Sequence, residues 1–250
     1  NLADETLTGD VTLHSNARVR TDSGNIGFRS GDGVELQDGS HVEAPNGTVT
    51  LSLGFKDTVE PDSGGWAEVL GHIQTNGTPI EIIGDDGHDR LTVDFDSSVL
   101  DSGPIAIVYD GDDGIDDGDY GNDTLEVLGT ENVDCFNIVD ESTPEPGTLI
   151  WHENLPGVEE SDEREEQIDF KNLRKTELPV GHGIITVDSR GGLDKITFQR
   201  TNLLTEVHVI GGDPGPSGYT EDCLSIYGTA DADRIVVLDQ SGKSAEKAIG

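Results

Sequence analysis

The chain has 250 residues, carries a formal charge of −36 and is only 32% apolar, with 33 glycines. A surface this acidic excludes ordinary binding to phosphate backbones, which requires basic groups that release counterions. No apolar run approaches the length of a membrane span, so the sequence gives no expectation of one. A chain without Met and without a visible leader reads as a fragment or a processed product.

The predicted elements begin with a repeat. "VTL" at Val11 returns as "VEL" at Val34, Val19 returns as Val42, and "GNIGF" at Gly24 returns as "GTVTL" at Gly47. Each unit holds three short alternating segments separated by Gly, Asn, Asp and Ser, which are strand and turn signals. Units of this size bury their apolar side only against neighbouring units. The expected fold is therefore all-β, a right-handed parallel β-helix with three short strands per coil and protruding loops. Residues 1–54 are its N-terminal coils, and 55–66 ("FKDTVEPDSGGW") is a loop excursion.

Residues 67–140 form a first Asp/Gly-rich unit, with strands expected at Glu68–Leu70, Ile80–Ile83, Leu91–Phe95, Ile105–Tyr109, Leu125–Leu128 and Phe136–Val139. The stretch 141–169 is an acidic excursion, its run "EESDEREEQ" a solvated segment rather than a helical turn. Residues 170–250 are a second unit in which "GIITVDSRGGLDKITF" parallels "PIEIIGDDGHDRLTV", so the second half is expected to repeat the first coil for coil within one continuous solenoid. "DTLEVLGTENVDCFNIVD" from Asp123 and "DCLSIYGTADADRIVVLD" from Asp222 share the same scheme. Cys135 and Cys223 each follow a repeat Asp, and whether they pair is left open.

Chemistry is expected where Gly and Asp concentrate. "GDDGHDRLT" at Gly84 and "GDYGNDTLE" at Gly118 share the form Gly-x-x-Gly-x-Asp-x-Leu-x. Glycines permit a sharp turn with exposed carbonyls, and Asp supplies hard oxygen donors of the kind Ca²⁺ takes. Like-charge crowding over Asp110–Asp123, with no Lys or Arg nearby in sequence, favours a cation there. The competing reading is that an Asp in a turn caps backbone N–H groups without metal. An EF-hand fails, because aligned on Gly118 it puts Ile115 third and Thr124 twelfth.

These nonapeptides resemble the haemolysin-type (RTX-like) calcium-binding repeats, and the N-terminal units are similar to filamentous-haemagglutinin coils. The resemblance implies a segment of a giant repetitive bacterial surface or adhesin protein, extracellular or on the cell surface. It puts Asp89, Asp116 and Asp123 on the ligand position, with Asp85 and Asp119 in place of the second Gly, and together with the crowding of acids the expected Ca²⁺ set is Asp85, Asp86, Asp89, Asp110, Asp112, Asp113, Asp116, Asp119, Asp123 and Asp213. Implied partners are neighbouring modules of the same large protein, cell-surface or matrix components, and polysaccharide.

The expectation is a non-enzymatic structural or adhesive role. Three alternatives are weighed against it. The acidity alone would suit salt adaptation. A calcium-gated exported passenger would be compatible with the structural role. A carbohydrate-active β-helix, lyase or hydrolase, would use loops 55–66 and 141–169. For that last reading Arg90, Lys195 and Arg234 occupy variable positions of the repeat. His152 and Glu153 in "WHENLP" lack the second His of a His-Glu-x-x-His site.

Overall fold

Alternating short segments give strands whose every second side chain faces inward. The computed structural model describes residues 9–54, 64–85, 87–97, 99–101, 106–111, 123–139, 146–154, 164–173, 183–192, 194–199, 205–211, 223–227, 236–238 and 244–246. Among these, all regular elements are strands.

The first unit supplies β1 (Val11–Leu13), β2 (Arg18–Arg20) and β3 (Ile26–Arg29), and the second β4 (Gly33–Leu36), β5 (His41–Glu43) and β6 (Val49–Ser52). Val11 pairs with Val34, Val19 with Val42 and Ile26 with Val49, all in parallel. The sequence repeat is thus the register of the sheets. Two further sets follow: β7 (Trp66–Val69), β8 (His72–Gln74) and β9 (Ile80–Ile83), then β10 (Arg90–Asp94), β11 (Val99–Asp101) and β12 (Ile107–Asp110). Each strand up to β9 lies beside the one three places later in the chain, which generates three sheets.

Beyond residue 111 the pattern changes. The remaining strands are β13 (Thr124–Leu128), β14 (Val133–Val139), β15 (Gly147–Asn154), β16 (Glu165–Lys171), β17 (Gly183–Asp188), β18 (Lys195–Gln199), β19 (Thr205–Ile210), β20 (Cys223–Tyr227), β21 (Val236–Leu238) and β22 (Ser244–Glu246). The first sheet runs β1-β4-β7-β10-β13-β17-β19 and the third runs β20-β18-β14-β15-β16-β12-β9-β6-β3, but the second stops at β11-β8-β5-β2. Length explains the loss. Only residues 129–132 separate β13 from β14, too few to lay a middle strand, whereas residues 95–106 separate β10 from β12 and accommodate β11. The three-sheet pattern therefore describes β1 to β12. From β13 to β20 the described strands belong to the first and third sheets alone.

The expected excursion at 141–169 also differs. Within it β15 and much of β16 are strands, and β15 runs antiparallel to both β14 and β16. These two strands sit between β12 and β14, so the third sheet has nine strands against seven in the first. β21 and β22 pair antiparallel as a separate two-stranded sheet. Residues 55–63 and 155–163 lie outside the described residues.

The interior is a continuous apolar column. Val34, Leu36, Val42, Leu51, Ile73 and Ile82 are fully buried in the three-sheet part. Where the second sheet ends, large aromatics take over: Phe95, Tyr109, Phe136, Trp151 and Phe170 are all buried. Phe95 and Trp151 stack with ring centroids 4.4 Å apart and planes inclined by 6°. The Arg164 guanidinium lies 5.0 Å from the Trp151 ring and donates to the Phe95 carbonyl at 2.7 Å. At the last strands the column is less covered. Leu224 continues the register of buried Ile196, yet it is 42% exposed, and Ile210 and Tyr227 are also exposed.

Candidate functional site

The turns that connect the sheets carry the buried acids. Gly84 and Asp89, Gly129 and Asp134, and Ser189 and Asp194 share one spacing, with a strand starting at or beside each Asp. At Asp89 and Asp134 the carboxylate folds back on its own turn. Asp89 Oδ2 accepts the Asp85 N–H at 2.9 Å, and Asp134 Oδ2 accepts the Thr130 N–H at 2.7 Å. A Cβ on Gly129 would stand 2.5 Å from Asp134 Oδ2, and one on Gly84 would collide with Asp89 Oδ2. Glycine is required there by close approach of the carboxylate.

The same carboxylates tie one level of the structure to the next. Asp89 Oδ1 accepts the Gly65 N–H at 2.7 Å, and Asp123 Oδ1 accepts the Asp89 N–H at 2.8 Å. At the other edge Asp194 Oδ1 accepts the Asp134 N–H at 2.8 Å. Asp134 Oδ1 accepts the Trp151 indole N–H at 2.9 Å, which joins this stack to the aromatic core. Asp89, Asp123, Asp134 and Asp194 are all buried. Buried backbone donors must find acceptors, and here an ionisable side chain supplies them.

Of the residues expected to hold Ca²⁺, the structure brings Asp85, Asp89 and Asp123 into one bonded chain. Asp85 Oδ1 also accepts the Gly87 N–H at 3.3 Å. Asp110 engages Lys171 Nζ at 2.7 Å and Asn172 Nδ2 at 2.7 Å, so its cation partner is distant in sequence. Asp86, Asp112, Asp113, Asp116, Asp119 and Asp213 lie outside the described residues. The described donors are hard oxygens and suit Ca²⁺ in kind. Among the described residues, however, no three His, Cys, Asp or Glu side chains gather where they could hold a metal.

Asp134 and Asp194 were not in the expected ligand set, although their spacing from Gly129 and Ser189 matches that of Asp89 from Gly84. Asn132 replaces the second glycine of the Gly-x-x-Gly-x-Asp form and Ser189 the first, so only the five-residue spacing to Asp is common to all three turns. Burial chiefly raises the Asp134 carboxyl, to about 6; the Thr130 and Trp151 donors oppose that rise and Asp194 adds to it. A folded-state value above the unfolded one means that the native state holds the proton longer. Its contribution is therefore complete below the unfolded value near 3.8 and is lost as pH rises through about 6. Following the Asp134 carboxyl carbon by NMR should show a midpoint near 6, and one in the ordinary range near 3.8 would contradict this placement.

Tyr109 lies beside the other stack. Burial pushes its hydroxyl well above the ordinary range, with Asp123, Asp89 and Asp110 adding to the effect, and among the described residues its buried Oη has no hydrogen-bond partner.

His152 and Glu153 part ways. His152 Nδ1 meets Glu165 Oε2 at 3.2 Å, while Glu153 accepts from Asn132 Nδ2 at 2.8 Å. Cys135 and Cys223 both pair with Lys195, from opposite sides, so two strand spacings separate them. At about 4.8 Å per spacing that exceeds the reach of a disulfide. The question left open by sequence is answered: the two do not bond to each other.

Comparison with protein-family models, with curated proteins and with solved structures gives no match to this chain.

Proposed function

We propose that the chain is a stiff, non-enzymatic structural or adhesive segment of a secreted or cell-surface repeat protein. In this reading it is wound as a right-handed parallel β-helix, the hand that parallel crossover connections adopt, and is rigidified by Ca²⁺ at its Gly/Asp turns. The observation that carries it is one inward row. Val11, Val34, Ala67, Leu91, Leu125, Ile185 and Val207 follow one another strand by strand across the first sheet. A row of seven parallel partners is extended along one direction, as suits a spacer or a repetitive binding surface.

The outer side of the same strands supports an exterior setting. Glu35 pairs directly with Glu68, and Glu126 lies further along the same row. Stacked like charges repel, and cations in the medium would relieve them. Partners in this reading are neighbouring modules, surface or matrix components and polysaccharide chains. The resemblance to RTX-like and haemagglutinin-like repeats points the same way.

Calcium in this reading is held around Asp85, Asp89 and Asp123. Asp89 and Asp123 spend lone pairs on backbone N–H groups, but an ionised carboxylate has about four acceptor sites, which leaves capacity for an ion. Their shared effect on Tyr109 brings them to a common buried region. Melting of the full chain tests this part. Millimolar Ca²⁺ should raise the midpoint by about 5 °C or more over EDTA if the ion is far above its dissociation constant. Identical melts would remove calcium from the proposal and leave the charge as salt adaptation.

A further inference from the structure

The outer face of the third sheet carries a row of groups that neither the turns nor the stack uses. Glu165, His152, Cys135, Lys195 and Cys223 are direct cross-strand partners on β16, β15, β14, β18 and β20. Direct partners hold their Cβ atoms about 4.5–5.5 Å apart. The insertion of antiparallel β15 creates the arrangement, because it sets His152 between Glu165 and Cys135. His152 Nδ1 is already engaged, 3.2 Å from Glu165 Oε2. A carboxylate on Nδ1 fixes the tautomer in which Nε2 is the basic nitrogen.

We propose that Cys135 is an activated thiol that undergoes exchange with low-molecular-weight disulfides. His152 is its proton acceptor, Glu165 orients His152, and Lys195 stabilises the thiolate. The order acid, imidazole, thiol is that of an activated nucleophile. Cys135 is half-buried, so a small disulfide reaches it. The residues that flank Cys135 and His152 on this face, Val133 and Asn137 on β14 and Ile150 on β15, are neutral, as are Gln167, Thr197 and Ser225. The next charges on it lie further along β16 and β12: Asp169 accepts from Thr148 and Gln167, and Lys171 is paired with Asp110.

The step balances without a further reagent. The Cys135 Sγ–H proton passes to His152 Nε2, and the thiolate attacks one sulfur of the disulfide. That S–S bond breaks as the new one forms. The departing thiolate takes the proton from His152. Cys135 is oxidised to a mixed disulfide and the reagent is reduced to one thiol.

Two single-thiol chains test the proposal. Cys223→Ser leaves Cys135, and Cys135→Ser leaves Cys223 as the internal reference. Each is reacted with dipyridyl disulfide over a range of pH, with release of pyridinethione as the readout. Cys135 should reach half its maximal rate about one pH unit or more below the ordinary thiol range near 8.5. His152→Gln in the Cys223→Ser background should return the midpoint towards that range. Glu165→Gln, at an exposed carboxylate that leaves the fold intact, should move it in the same direction. A Cys135 midpoint in the ordinary range, or one that neither substitution moves, would overturn the proposal.

Discussion

Asp134→Ala is expected to lower the free energy of unfolding at neutral pH by about 2–4 kcal/mol, because buried donors left without an acceptor cost about 1–3 kcal/mol each. The donors are the Thr130 N–H and the Trp151 indole N–H, both within 2.9 Å of the carboxylate. Removing a charge from a dry site relieves some desolvation, which is why the loss falls short of the full sum. Asp134→Asn keeps one acceptor oxygen and should cost about half as much, while abolishing the titration near 6. Denaturant unfolding of the three chains checks both. A parent-like stability for Asp134→Ala, within about 0.5 kcal/mol, would place the carboxylate outside the load path of the turn.

Trp151→Ala should be at least as damaging, at about 3–5 kcal/mol, the usual cost of truncating a buried aromatic. Trp151 is fully buried, stacks on Phe95, lies beneath Arg164 and donates to Asp134. It fills the interior beside Phe95, so its truncation leaves a cavity in the core. Trp151→Phe retains a ring against Phe95 and loses the N–H, and should cost about 1–2 kcal/mol. Since Trp151 and Asp134 share a hydrogen bond, the double substitution should cost less than the two single losses together. Additive losses measured by denaturant unfolding would show that the indole and carboxylate act independently.

Much of the fold was legible because the sequence repeat and the strand register are the same thing. Val11 and Val34, or Val19 and Val42, occupy equivalent positions in sequence and touch in space. The departure after residue 111 was less legible. "GIITVDSRGGLDKITF" does contain the turn seen in "PIEIIGDDGHDRLTV", but the turn at Asp89 leads from the third sheet to the first, and the one at Asp194 leads from the first to the third. One local motif serves both crossings, so local similarity could not specify which sheet follows. Antiparallel β15 was hidden for another reason. Its alternation is ordinary, and the acidic composition downstream drew the whole stretch into an excursion.

The candidate site divides along the same line. Residues with special spacing, Asp89 and Asp123, were singled out by sequence, and their burial and mutual hydrogen bond follow from the register. Their use as backbone acceptors was the competing reading from sequence, and the hydrogen bonds from Gly65, Asp85 and Asp89 show that use without deciding the calcium expectation. Lys171 as the partner of Asp110 could not be foreseen, since the contact depends on β16 lying beside β12. The Glu165, His152 and Cys135 row depends likewise on pairing around the inserted strand.

The most direct measurement of parallel stacking is a set of spin-label distances along one outer row, in a chain with both cysteines replaced by Ser. Thr12, Glu126, Thr186 and His208 occupy equivalent outward positions in the first sheet. Backbone separations from position 12 should grow in steps of about 4.8 Å, to about 19 Å at 126, about 24 Å at 186 and about 29 Å at 208. Distances that fail to increase in that order would contradict a parallel stack and would favour strands folded back on one another.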